Sequence, residues 1–428
     1  MKNGSRIAER DLDVATNPIP SPREPIVEWR DDVVTTTIIT EEFAFDWLAH
    51  EWDELVDDSE QCVFFLRNKW NQLWWKYYEP PLSRLELILC RDSSHRLVGL
   101  APLYRRCYEA FGVRYARELA FLGTGVPSKT SLHLDVIARR GAEQTVARAV
   151  ASALGRTRWD RLRLSQVPSH SIVLPHLASQ LGARTRIEVC DRAPYIDTST
   201  DWNAFTASLS GTLRRRIEYY TRRLFKTYAD CKFERVTSLE ALETGMKALD
   251  ALRQSSPRFR AFLHEAMRYA FSKSRLALWT LTIQGRIEAA LVGFIDNGVL
   301  HCFQKGVNPA CALDELGTVM LGLCLRASFD DPSIRSFDFM SAGAPYKDLW
   351  AQQSHANVML ELTRPTFGSA LFSADHAARL AWQRIGPASE RLIRKEGIRQ
   401  RLASVLRTKN EERRTKNGPR SKNQGPRT

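Results

Sequence analysis

Three stretches of this 428-residue chain carry side chains suited to group-transfer chemistry. In the first, Gly211-Thr-Leu-Arg-Arg-Arg-Ile-Glu-Tyr-Tyr-Thr-Arg-Arg-Leu-Phe-Lys226, the residues Leu213, Ile217, Tyr220 and Leu224 recur at helical spacing, so one stripe can pack inward. Arg214, Arg215, Arg216, Arg222, Arg223 and Lys226 cover most of the rest, with Glu218 alone against them. Guanidinium groups bind phosphate in bidentate fashion, so this helix is either a phosphate site or a solvated face. The second stretch, Phe303 to Gly317, reads as a strand running into a helix. A helix start can hold a pyrophosphate on its free N–H groups, and Gln304, Lys305 and Gly317 are the candidates there. Asp314 and Glu315 would cap that helix and repel an anion. The third is Phe337-Asp-Phe-Met-Ser-Ala-Gly-Ala-Pro-Tyr-Lys-Asp-Leu-Trp350, where a strand ends near Ser341 and a Gly/Pro turn leads into a helix. Asp338, Tyr346 and Lys347 could supply a base, a hydrogen-bond donor and an anion contact. The bland alternative is an Asp338–Lys347 ion pair, with Tyr346 and Trp350 as core anchors one turn apart.

The elements that must position these groups follow one order twice. Val33–Thr40 reads as a strand, followed by a helix with Phe45, Leu48, Trp52 and Leu55 at helical spacing. The aromatic run 63–78 leads into a second helix. Leu85–Cys90 and Leu97–Tyr104 form a hairpin across a polar turn, then come Glu118–Gly123, Leu132–Ile137, a helix near 141–154 and the strand Trp159–Ser165. About 190 residues later the pattern returns, with the hairpin Leu276–Ile283 and Arg286–Ile295, the strand Val299–Gln304, a helix over 314–329 and the strand Ile334–Met340. A meander, a crossover helix and a final strand predict an α/β (α+β) fold with a mixed, mostly antiparallel sheet flanked by helices in each half. No G-x-G-x-x-G or Walker A sequence is present.

Composition narrows the class. Hydrophobic content of 43% and charged content of 26% are those of a globular protein, and the length suits two domains. No apolar run reaches the roughly 20 residues of a membrane span, and Met1–Arg30 has no signal-peptide pattern, so a cytoplasmic protein is expected. The eight cysteines form no C-x-x-C pair and the nine histidines no cluster in sequence, so reduced core thiols and no metal are expected. Of the net charge of +13, nearly half lies in Arg407–Thr428, where eight Lys/Arg face Glu411 and Glu412. The remainder is mildly basic, which suits an anionic cofactor and predicts no specific nucleic-acid partner. The expected organisation is a proline-rich linker over 1–32, domains over 33–192 and 193–368, amphipathic helices over 369–406 and a disordered basic tail over 407–428. The basic helices could touch an anionic membrane surface from the inner side.

Leu97-Val-Gly-Leu-Ala-Pro-Leu103, the arginine-rich helix and above all Phe337-Asp-Phe339, Pro345-Tyr-Lys347 and Trp350 resemble the CelD-like acetyltransferase group of the GNAT superfamily, related to the FemAB-type transferases. The resemblance spans about 35–365 and implies two tandem GNAT-like domains, the second with the working site. It implies acyl transfer from acetyl-CoA or another acyl-CoA to an amine or hydroxyl, by direct attack and without a covalent enzyme intermediate. The acceptor would be a small molecule, sugar or peptide, and bacterial exopolysaccharide or envelope metabolism the setting. On this reading Arg214, Arg215, Arg216, Arg222, Gln304, Lys305 and Gly317 face the donor. Asp338 is the base or orients Lys347, Tyr346 donates a hydrogen bond near the reacting centre, and Trp52, His133, Asp135 and Trp350 contact the acceptor. The sequence departs from the family where Gly343 and Ala344 replace an acidic residue, where His133-Leu-Asp135 replaces an aromatic-Asp pair, and in lacking a glycine-rich pyrophosphate loop. An aminoacyl-tRNA-dependent FemAB-like transferase and a catalytically silent binding protein of the same fold are the alternatives. Oligomeric state is not readable.

Overall fold

The uninterrupted apolar runs of the sequence become strands buried on both faces, as in Leu276–Ile283 and Ser83–Arg91. Helices supply the cover. In Glu143–Arg156 the buried Val146, Ala147, Val150, Ala153 and Leu154 share one face. It packs so closely on the sheet that a Cβ added at Gly99 would meet Val146 at 2.5 Å. The computed structural model describes residues 27–30, 34–110, 113–125 and 130–374. Of the expected linker, only Val27–Arg30 is described; it pairs as a strand. The expected tail, and the C-terminal helices beyond residue 374, lie outside the described residues.

The strands are β1 (Val27–Arg30), β2 (Thr35–Ile39), β3 (Ser83–Arg91), β4 (Leu97–Ala110), β5 (Val113–Phe121), β6 (Ile137–Ala138), β7 (Arg161–Pro168), β8 (Arg186–Asp197), β9 (Lys232–Arg235), β10 (Leu276–Ile283), β11 (Arg286–Asp296), β12 (Val299–Val307), β13 (Ser336–Asp338) and β14 (Gln353–Thr363). The duplication is visible in the pairing. In each half an antiparallel meander is followed by a crossover helix, Glu143–Arg156 or Leu316–Asp330, and a parallel strand, giving β5·β7 and β12·β13. The fold is thus two tandem GNAT-like halves, each a mixed, mostly antiparallel sheet flanked by helices.

The two sheets are fused into one of order β1-β2-β3-β4-β5-β7-β14-β8-β13-β12-β11-β10-β9. The last strand, β14, inserts between β7 of the first half and β8, and β8 pairs in turn with β13. The 192/193 boundary expected from the sequence falls inside β8. One departure bears on the site: the stretch 132–136, expected as a strand, is a loop, because His133 adopts φ +56°.

By contacts the chain divides into Met1–Arg106 with Glu118–Thr363, which holds both halves, and Cys107–Arg117 with Arg364–Thr428. Inside the smaller unit Tyr108 and Phe372 meet edge to face at 4.8 Å. Inside the larger unit an aromatic cluster joins the halves. Phe64 stacks on Phe294 at 4.5 Å, and Trp70 lies against Phe262 at 4.9 Å. Each such side chain contributes about 1.5–3 kcal/mol on burial. Beside it the buried Arg67 bonds both oxygens of Asp296, at 2.7 and 2.8 Å, and Asp57 at 2.5 Å. Among the described residues no helix is long and apolar enough to cross a membrane.

Candidate active site

The Phe-Asp-Phe alternation of β13 sends Phe337 and Phe339 into the core and Asp338 to the other face. There Asp338 is still buried, 3% exposed. Its Oδ2 lies 2.8 Å from His133 Nε2, and its Oδ1 accepts from the Met340 N–H at 2.5 Å. His133 comes from the β5–β6 loop of the other half. That loop is tied down where Leu134 N–H donates to the Gln166 carbonyl at 2.8 Å and Ser131 Oγ accepts from Trp70 Nε1 at 2.9 Å. His133, Gln166 and Met340 all have left-handed backbone, at φ +56°, +65° and +61°. For non-glycine residues such conformations cost about 1–3 kcal/mol and persist only where the surroundings enforce them.

His301 completes the group. It is the register neighbour of Asp338 on β12, 1% exposed, with Nδ1 3.8 Å from Asp338 Oδ2 and neither ring nitrogen hydrogen-bonded. Burial opposes ionisation of Asp338, but the adjacent His133, His301 and the Met340 N–H hold its carboxyl down at about 2. Burial pushes His301 down to about 4, keeping it neutral. Further out, Tyr195 stacks on His355 at 4.0 Å, and His355 meets His170 at 5.4 Å. Burial lowers the pKa of both histidines, and so does the nearby His133.

Lys347 does not pair with Asp338. Its Nζ donates to the Phe339 and Ser341 carbonyls, each at 2.6 Å, so it pins the turn that follows β13, and burial lowers its pKa. The alternative of an Asp338–Lys347 ion pair is not formed: the Lys347 ammonium is turned to the two carbonyls, and Asp338 accepts from His133 and Met340 instead. Tyr346 is 39% exposed, lies under the Lys305 ammonium at 4.7 Å, and is pushed up to about 12 by burial and by Cys302. Lys305 also donates to the Gly317 carbonyl at 3.3 Å. Gln304 is half-buried beside it, where a bulge at Phe303 shifts the register against β11 from Val292↔Gln304 to Gly293↔Cys302.

The parallel pairing of β12 with β13 ends at His301↔Asp338, while β12 continues to Val307 and the other chain turns to β8, Phe339 N–H donating to the Pro194 carbonyl at 2.8 Å. A fork opens there, with Asp338 at its vertex and Lys305, Tyr346 and Lys347 along it. The neighbouring helix Leu316–Asp330 begins after Glu315, at φ +62°, whose carboxylate accepts from Thr318 Oγ at 2.7 Å and pairs with Arg216. Arg215 Nε is turned back onto the Gly211 carbonyl at 3.1 Å. Arg214 and Arg222 form no side-chain bond among the described residues, and with Ile217, Phe225, Trp202 and Leu323 they line a groove of about 430 Å³.

Two of the expected acceptor contacts are core residues. Trp52 is 0% exposed and donates to the Leu66 carbonyl at 2.8 Å, while Trp350 packs against Gly322 at 3% exposure and lines a pocket with Tyr195 and Phe205. Asp135 is buried as well, accepting from the Val136 N–H at 2.8 Å. His301, His170, His355 and Tyr195 were not singled out in the sequence. For His301 a signal existed, an imidazole in the otherwise apolar start of β12. His133, His301 and Asp338 could also hold a metal ion, since their ligand atoms lie within 4.8 Å of one another. The group Asp57, Cys62 and Asp296 satisfies the same distance, but Arg67 already occupies it.

Residues 211–348 match the family described as Acetyltransferase (GNAT) domain. No curated protein matches the sequence. The fold is similar to that of a conserved protein of unknown function from Bacteroides thetaiotaomicron VPI-5482, at 12% identity and TM-score 0.50 over 76% of this chain and 100% of that one. It is similar also to FemX, at 8% identity and TM-score 0.53 over 76% of this chain and 98% of that one. At these identities the likeness is one of fold. The chain has a GNAT-like fold in tandem.

Proposed function

We propose that the chain is a GNAT-type acyltransferase that moves an acyl group from acyl-CoA to an amine or hydroxyl by direct attack. The observation that carries this reading is the fork between β12 and β13. Strand-edge N–H and C=O groups from Cys302 to Val307 can pair with the amides of an extended pantetheine arm, as a peptide adds to a sheet edge. That arm would bring its thioester to the vertex beside Asp338. Lys305 and the arginines of Gly211–Thr227 supply positive charge for the phosphates, and Tyr346 a phenol beside the path. Glu315 keeps the helix start itself from being the principal phosphate seat. Asp338, Tyr346 and Lys347 remain the residues assigned to the reacting end, with Lys347 setting the turn through its carbonyl contacts. The likeness of Phe337–Trp350 to the CelD-like group extends the reading to a sugar, peptide or small-molecule acceptor of exopolysaccharide or envelope metabolism, at the cytoplasmic side.

The test is binding of acetyl-CoA and longer acyl-CoAs by calorimetry, then thiol release on addition of amine, sugar and peptide acceptors. Absence of both binding and release sinks the proposal. The FemX likeness keeps aminoacyl-tRNA as the second donor reading, and transfer of a labelled amino acid from charged tRNA, with no acyl-CoA binding, would select it.

A further inference from the structure

We propose that the general base of the transfer is His133, an imidazole that the first half lends to the second and that Asp338 aims. This rests on the acyltransferase reading above.

The other candidates at the vertex are committed elsewhere. Both Asp338 oxygens are engaged, Oδ1 by the Met340 N–H and Oδ2 by His133. Lys347 gives its ammonium hydrogens to two carbonyls and is a donor, not an acceptor. His301 is sealed behind Asp338 at 1% exposure. His133 spends only Nε2 on Asp338, and among the described residues its Nδ1 makes no hydrogen bond.

The tautomer follows from the partner. A carboxylate that already takes the Met340 N–H accepts a second hydrogen from Nε2, so neutral His133 carries its lone pair on Nδ1. Asp338 then steadies the imidazolium that forms, the logic by which a buried carboxylate orients a catalytic histidine in hydrolases. The left-handed backbone at His133, and at Met340 whose N–H holds Asp338, supports this geometry across 205 positions of chain. The charged and titratable groups facing His133 are Asp338 from β13, His301 from β12, His170 beyond β7 and His355 from β14, with Asp135 on its own loop.

In the step, the acceptor N–H or O–H gives its proton to Nδ1 while its lone pair bonds to the thioester carbon. The carbonyl electron pair moves to oxygen. As it returns, the C–S bond breaks with its electrons on sulfur, and the imidazolium delivers the proton to the thiolate. The products are the acylated acceptor and free thiol, with His133 neutral again.

The experiment compares wild type, His133→Gln and Asp338→Asn for acetyl-CoA affinity and for kcat over pH 5 to 9. We expect His133→Gln to bind acetyl-CoA within about twofold of wild type while kcat falls about 10²- to 10⁴-fold, the range of general-base catalysis. Asp338→Asn should lower kcat in the same range, and the double variant little further. Wild-type kcat/KM should rise with pH through a limb that stays put when acceptors of different basicity are compared. A limb that follows the acceptor overturns the proposal, and this readout needs no variant to fold. Unchanged kcat in a folded His133→Gln overturns it too. So does a stoichiometric transition metal in the wild type that His133→Gln loses, because the three side chains would then be ligands. Failure of the wild type itself to bind acyl-CoA would instead sink the donor reading.

Discussion

His133 and Asp338, 205 positions apart and each under 5% exposed, share a 2.8 Å hydrogen bond that joins the two halves at the vertex of the β12–β13 fork. That bond has a stability consequence separate from catalysis. Burial would raise the Asp338 carboxyl, yet the His133 contact and the Met340 N–H hold it at about 2, below the unfolded value near 4. A depressed carboxyl contributes stability that is fully present above pH ~4 and is lost as pH falls toward 2. The urea midpoint of the wild type should therefore drop more steeply between pH 4 and 2 than that of Asp338→Asn. Parallel curves would show that the pair does not couple to folding.

Asp135, two residues along the same loop, should behave in the opposite sense. Burial pushes its carboxyl up to about 7, against the Ser171 and Val136 hydrogen bonds. Its native form holds a proton that the unfolded chain releases near pH 4, so stability falls as pH rises from about 4 to 7 and stays lower above. Asp135→Asn keeps the acceptor and removes the charge. It should match wild type near pH 4 and be more stable at pH 8 by on the order of 1–3 kcal/mol. A thermal-melt series across pH decides this, and an equally pH-dependent variant would refute it.

How much of this was legible in the sequence depends on the range of the cause. The hairpins, both crossover helices and the Phe337–Trp350 turn are local patterns, and each appears within a few residues of its expected bounds. β8 and β14 went unread because Arg186-Ile-Glu-Val-Cys-Asp-Arg192 and Gln353-Ser-His-Ala-Asn357 are polar. Their strand character comes from pairing between the halves, which no local propensity records. The stretch 132–136 reads as a strand by residue type, but the left-handed His133 breaks it and turns the imidazole toward Asp338. Asp338 was found from alternation along β13; its partner could be recognised only once the halves were packed.

The clamp between the halves is the next test. Arg67 is 2% exposed and spans Asp57 and Asp296 with a planar fork. Arg67→Met leaves Asp296 buried without its cation, and breaking such a pair costs about 3–5 kcal/mol. Arg67→Lys should recover little of this, because one ammonium cannot reproduce three directed bonds. Chemical denaturation measures both, and full rescue by lysine would reduce the clamp to simple charge.

Gly293 controls the position of His301 through the backbone. A Cβ there would lie 2.8 Å from the His301 carbonyl oxygen and 2.8 Å from Leu300 Cδ2, inside the β11–β12 bulge. Strand backbone cannot yield as a flexible side chain can. Gly293→Ala should displace the segment of β12 next to Asp338 and lower stability by about 1–3 kcal/mol. Turnover should fall even where the variant is fully folded. Wild-type turnover in the folded variant would mean that the alignment of β12 is not critical to the site.

The arginine-rich helix offers two separable sets of charge. Arg216 is held by Glu315 and Arg215 by the Gly211 carbonyl, whereas Arg214 and Arg222, unpaired among the described residues, lie on the rim of the groove against Leu323. A free guanidinium binds phosphate without first breaking an ion pair, so affinity for a polyanionic donor should depend on the unpaired set. Arg214→Gln/Arg222→Gln should weaken acetyl-CoA binding by about tenfold or more, equivalent to about 1.4 kcal/mol. Arg216→Gln should change it less, since the Arg216 guanidinium is already engaged by Glu315. Added salt should weaken the wild type more than the double variant, because screening acts only on charges still present. Calorimetry at two ionic strengths reads all three, and an unchanged double variant would make this helix a solvated face and move the donor phosphates to the Lys305 side of the fork.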